Sequence, residues 1–172
     1  SEDAAYQPRL DKDGWEVLFD GKDVNALDAD LKQGAWAINE QGELITAKGG
    51  RSIFTKQRYC DFVLELEFKL VAKKKANSGV FLHTHDKNQE VNTGLEVQIL
   101  DNADYNLKYN APNACGALYE LIRPTVDANK PIGEWNEMEI TCDGLLVKVV
   151  LNGLKVIDTD FSKLTKPIGK FN

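Results

Sequence analysis

Hydrophobic and polar residues alternate with period two along much of this chain. Phe62, Leu64, Leu66 and Phe68 fall on one side of an extended segment, and Val63, Glu65, Glu67 and Lys69 on the other. Similar runs rich in Val, Ile, Phe, Leu and Thr predict strands at residues 15–19, 36–39, 43–46, 52–55, 62–71, 78–83 and 94–100. Turn pairs separate them: Asp20-Gly21, Gln41-Gly42, Gly49-Gly50, Asp143-Gly144 and Asn152-Gly153. Asp-Gly and Asn-Gly supply the positive φ of tight hairpins, so residues 138–142, 145–151 and 154–157 read as a three-stranded meander. No segment sustains a 3.6-residue period over three turns. The pattern therefore predicts an all-β chain whose many short strands build a sandwich or barrel, with residues 1–14 as an N-terminal tail or wrap and 15–172 as a single domain.

The alternation also predicts which side chains meet. Phe62, Leu64, Leu66, Phe68, Val80, Leu82, Val97 and Ile99 are expected between the sheets. Glu65, Glu67, Phe81, His83, Glu96 and Gln98 are expected together on the opposite, concave face. Trp15 and Trp36 begin strands and are expected in the core, as is Cys142.

Composition narrows the classes. The chain has 172 residues, enough for one core without a disulfide or metal staple. Its net charge of -6 argues against a nucleic-acid partner, because phosphate binding needs a basic footprint. Lys73-Lys74-Lys75 is the one basic run and reads as a solvated loop. Cys60, Cys115 and Cys142 show no Cys-x-x-Cys spacing, so neither a zinc site nor a full disulfide framework is expected, although one pair could form. No apolar run has the length of a membrane helix, so no transmembrane segment is expected.

Carboxylates on strands are commonly just a solvated face. Here they keep company with Asn77-Ser78-Gly79-Val80-Phe81-Leu82-His83, which adds amide, aromatic and imidazole groups. Together these are the inventory of a carbohydrate site, with an oligosaccharide or glycoside as the expected ligand. Two longer connections, 101–114 with Tyr105 and Tyr109 and 121–135 with two prolines, are where binding groups tend to sit. Tyr119 and Trp135 border them, with sugar stacking and core packing as the two readings of their rings. His83 and His85, at i and i+2, would share a strand face and could hold a divalent metal with Glu65 or Glu67. Solvated or substrate-contacting histidines are the default, and no cofactor is expected.

Several motifs resemble those of the 3-keto-disaccharide hydrolase domain family, long a domain of unknown function. They are Gly14-Trp15-Glu16-Val17-Leu18-Phe19-Asp20-Gly21-Lys22, the strand from Tyr59 to Phe68, Asn77-Ser78-Gly79-Val80-Phe81-Leu82, Gly94-Leu95-Glu96-Val97-Gln98-Ile99-Leu100-Asp101, Gly116-Ala117-Leu118-Tyr119 and Gly133-Glu134-Trp135-Asn136. The resemblance implies a concanavalin A-like jelly roll and an exported, periplasmic or extracellular protein that cleaves a 3-keto-glycoside. The strand at Glu96 also resembles the laminarinase-type signature Glu-x-Asp-x-x-Glu, with Gln98 and Asp101 replacing its second and third acids.

Where the family pattern carries Arg at the end of the Asn-Ser-Gly strand, this chain has His83. The family pattern also continues past Asn172, and a missing last strand would leave an open sheet edge. The residues expected to act are Glu96, His83 and Glu67 in proton transfer, with Glu65, Asn77, Phe81, Gln98, Asp101, Tyr119 and Trp135 contacting substrate. A lectin-like binding module, or an accessory domain that docks a partner oxidoreductase, are the rival readings, because fold alone does not fix function.

Overall fold

A computed structural model of the chain describes residues 6–29, 31, 35–46, 51–71 and 75–163. Gly49-Gly50, Lys73 and Lys74 lie outside the described residues. Lys75 is exposed, with its ammonium 5.7 Å from the centre of the Tyr105 ring. The chain divides into two compact units, Ser1–Arg58 and Tyr59–Asn172. No helix among the described residues is long and apolar enough to cross a membrane.

Among the described residues, the first unit carries four short strands. β1 (Leu27–Asp28) pairs antiparallel with β4 (Phe54–Thr55), and β2 (Trp36–Ile38) with β3 (Leu44–Thr46). The strand expected at 15–19 is reduced to one bridge, Leu10 to Glu16. The cause is local: the Asp11 carboxylate accepts hydrogen bonds from the backbone N–H of Asp13 and Trp15, which holds a turn instead of an extended run. Trp15 is accordingly exposed rather than in the core. Trp36 is half-buried, with its indole N–H donating to the Arg51 carbonyl at 2.7 Å.

The second unit is the β-sandwich. Its larger sheet runs in the order β10 (Leu154–Asp160), β9 (Leu146–Leu151), β8 (Trp135–Asp143), β5 (Phe62–Lys69), all antiparallel. The expected meander is therefore present, and at its second hairpin both Asn152 and Gly153 have positive φ, 51° and 79°. Opposite lies the pair β6 (Asn77–Leu82) and β7 (Leu95–Leu100), joined through a four-residue helix, α1 (Glu90–Thr93), that the hydrophobic pattern did not show. A third row extends this sheet along the free edge of β7. The Gln98 N–H donates to the Ala117 carbonyl and the Tyr119 N–H to the Glu96 carbonyl, so Leu118 stands opposite Val97.

Between the sheets, Leu82, Val97, Ile99 and Leu118 meet Met138, Ile140, Val149 and Leu151, with Phe62, Leu64, Leu66, Phe68 and Val80 packed against them. This is the core the alternation predicts. Each such side chain contributes roughly 1.5–3 kcal/mol by leaving water. Cys115 and Cys142 are buried free thiols, and Cys60 is an exposed one. Burial pushes both buried thiols up to about 11, so neither is nucleophilic near neutral pH.

Candidate active site

Antiparallel register decides which side chains share a face, because directly opposed residues point the same way. In the smaller sheet Asn77 faces Leu100, Gly79 faces Gln98, and Phe81 faces Glu96. Tyr119 follows on the far side of Glu96. The face turned away from the core therefore gathers Asn77, Phe81, Glu96, Gln98 and Tyr119. Glu96 is half-buried, as are Phe81 and Tyr119, while Asn77 is exposed. Gln98 is fully buried, and its side-chain oxygen accepts the Ile99 N–H at 3.1 Å. It serves this face from beneath and offers no open amide to a ligand.

The other expected members are elsewhere. Glu65 and Glu67 pair with Glu139 and Glu137 on β8, so they lie on the outside of the larger sheet, across the core from Glu96. Their strand-mates Phe62, Leu64 and Leu66 pack into the same core that Val97 and Ile99 enter from the opposite sheet, so the two sets of carboxylates point away from each other. Trp135 shares that outer face, 42% exposed, with the Lys69 ammonium 4.6 Å from its ring centre.

His83 also departs from expectation. It follows the end of β6 at φ 52°, which breaks the alternation, and its ring lies 6.0 Å from that of Phe62. His85 is exposed and outside any strand, so the two histidines do not share a strand face. Among the described residues no group of three or more His, Cys, Asp or Glu is placed to hold a metal ion.

Asp101, expected to contact substrate, could reach the face of Glu96 only through a bulge after Gln98. The pairing of β6 with β7 runs without one, so Asp101 keeps the parity of Val97 and Ile99. It lines a separate cleft of about 390 Å³ at the end of the sandwich, with Phe68, Leu100, Tyr109, Lys130 and Asn136.

On the outer face of the larger sheet, Glu65 opposite Glu139 and Glu67 opposite Glu137 set like charges side by side, an unfavourable arrangement. Lys148 pairs with Glu139 at 3.5 Å. Glu67→Gln is thus expected to leave turnover unchanged and to hold or raise stability by a few tenths of a kcal/mol, read by thermal melting beside an activity assay. A fall in turnover of tenfold or more would return Glu67 to the mechanism.

One residue that the reading of charges and aromatics passed over is Gly79. A β-carbon there would sit 2.8 Å from Cγ and 2.9 Å from Cδ of Glu96, and closer still to its Oε1. The Glu96 side chain thus lies across β6, over the one position of that strand without a side chain. The signal was present in the Asn-Ser-Gly triplet, since glycine inside a strand often marks a close approach.

The outward face of the smaller sheet thus holds a half-buried carboxylate flanked by a phenyl ring and a phenol. Residues 14–169 match the 3-keto-alpha-glucoside-1,2-lyase-like domain family, and the chain belongs to it. It is 31% identical over 163 residues to a 3-keto-disaccharide hydrolase of Bacteroides thetaiotaomicron, covering 79% of this chain and 55% of that protein. The chain thus spans about half the length of that relative. Two crystal structures from Parabacteroides distasonis, each named "Putative glycosyl hydrolase", share the fold. One has a TM-score of 0.75 at 32% identity, covering 86% of this chain and 77% of the other. The second has a TM-score of 0.69 at 27% identity, covering 91% and 70%.

Proposed function

We propose that this chain cleaves the glycosidic bond of 3-keto-glycosides by elimination, with Glu96 as the group that takes the proton from C2. The observation that carries the reading is the placement of Glu96. Of the paired strand positions on its face, it alone bears a carboxylate, and Phe81 and Tyr119 flank it. A retaining glycosidase needs two carboxyls about 5 Å apart on one face. Here the neighbouring position is the buried amide of Gln98, and Asp101 lies at the end of the sandwich. One carboxylate suits a reaction that begins with one proton abstraction.

The chemistry balances as follows. The C3 carbonyl acidifies the C2 proton, which passes to Glu96, and the electron pair is held as the enolate on the C3 oxygen. The enolate then reforms the carbonyl as the C1–O bond breaks, the departing oxygen takes a proton, and a C1–C2 double bond remains. Water adding across it places hydroxyl on C1 and hydrogen on C2, which completes net hydrolysis. Tyr119 and Asn77 supply hydrogen-bond donors for the developing oxyanion, and Phe81 offers an apolar surface to the sugar ring. The family description and the printed name of the Bacteroides relative support the same substrate class.

Parallel incubation with a 3-keto-disaccharide and its unoxidised parent tests this reading. Only the oxidised sugar should be cleaved, because without the carbonyl no enolate forms. Equal rates on both would point to displacement at C1. Affinity for both with cleavage of neither would support the lectin-like reading instead.

A further inference from the structure

We propose that Gly79 is a positioning residue, whose missing side chain is the seat that aims the Glu96 carboxylate. The inference rests on the reading of Glu96 as the proton-transfer group, and adds the residue that orients it. Glycine in the middle of a strand has a cost: it orders more backbone entropy than any other residue and contributes no packing. That cost needs a reason, and the backbone does not supply one. Gly79 is absent from the positive-φ residues of the chain, so an alanine would adopt its conformation without strain.

Space supplies the reason. Gly79 sits opposite Gln98 on the face shared with Glu96 and Phe81. The three atoms nearest to its hypothetical β-carbon all belong to the Glu96 side chain: Oε1, Cγ and Cδ. With Cγ at 2.8 Å and Cδ at 2.9 Å, a methyl group cannot be accommodated by turning the carboxyl alone; the whole side chain must leave its rotamer. The obstructed group is the end of a flexible side chain rather than backbone, so the sheet need not move. A substitution at 79 therefore displaces the carboxylate and spares the fold.

The contrast with Gly94 makes the assignment specific. There a β-carbon would meet not only the Thr84 hydroxyl at 2.5 Å but also backbone, the Glu90 carbonyl at 3.1 Å and the Leu82 carbonyl at 3.2 Å, whereas at Gly79 all three nearest atoms belong to one side chain.

The test is Gly79→Ala, alone and combined with Glu96→Ala, assayed on the 3-keto-disaccharide beside thermal melting. For Gly79→Ala we expect kcat to fall on the order of 10- to 100-fold, because an error of about 1 Å in a reacting group costs up to that much. KM should change far less, and the melting temperature should stay within about 2 °C, within the range for a surface substitution. In the Glu96→Ala background the added alanine should cost nothing further, since its effect runs through a carboxylate already removed.

Full kcat in Gly79→Ala overturns the proposal. So does a loss of turnover matched by a large fall in melting temperature, or an equal further loss in the double variant. If Glu96→Ala alone keeps full turnover, the reading of Glu96 and the inference fall together. An inactive Glu96→Ala beside a fully active Gly79→Ala sinks the inference alone.

Discussion

Glu96→Gln is expected to lower turnover of a 3-keto-glycoside by roughly 10²–10⁴-fold, the usual contribution of one positioned general base. The amide keeps the size and shape of the carboxyl but cannot accept the C2 proton at any useful rate. The side chain lies on the outward face of a sheet and is only half-buried, so the fold should be indifferent to the change. Kinetics and thermal melting on the same preparations separate the outcomes. Lost turnover with an unchanged melting curve is the expected result. Lost turnover with a collapsed melting curve would make Glu96 a structural group, and retained turnover would remove it from the reaction.

The second large effect is on stability and centres on Asn136, one of two fully buried polar residues among those described. Its side-chain oxygen accepts the Lys130 N–H at 3.0 Å and the Asn152 amide at 2.8 Å, and its own amide reaches the Glu134 carbonyl at 3.3 Å. Asn152 passes the tie onward, donating to the Ala128 carbonyl at 2.7 Å and accepting the Glu137 N–H at 2.9 Å. The pair pins the connection before β8 to the hairpin between β9 and β10. Asn136→Ala removes the shared acceptor of two part-buried donors, and each such group costs about 1–3 kcal/mol when left unpaired. Denaturant unfolding should show a loss of about 3 kcal/mol, and the melting temperature should fall on the order of 10 °C for a chain of this length. A loss below about 0.5 kcal/mol would mean that water replaces the side chain.

These cases also mark how far the sequence could be read. Period-two alternation tells, for each strand, which residues enter the core, and Phe62 to Phe68, Val97 and Ile99 were legible that way because burial acts on each strand locally. It does not tell which of two sheets a strand joins. Glu65, Glu67 and Glu96 all point outward, but a sandwich has two outsides, and strand pairing across distant residues decides between them.

His83 was misplaced for a different reason: alternation was carried one residue past the end of β6, into a left-handed conformation that reverses the direction of the side chain. Asp101 depended on a bulge that the register of β6 and β7 does not contain. Trp15 was read by its own hydrophobicity, while the Asp11 side chain set the local chain path. Gly79 stands inside the Asn-Ser-Gly motif, yet its meaning lies in the diagonal neighbour on the next strand, which only strand pairing reveals.

Deuterium incorporation tests the proposed elimination most directly. When the 3-keto-disaccharide is cleaved in deuterated water, abstraction at C2 followed by addition of water should leave deuterium at C2 of the released keto sugar. The amount should exceed what the same sugar acquires without the protein over the same time, measured by NMR or mass spectrometry. Released sugar that keeps its original hydrogen at C2 would show that the C1–O bond breaks without an enolate, and would contradict the role assigned to Glu96.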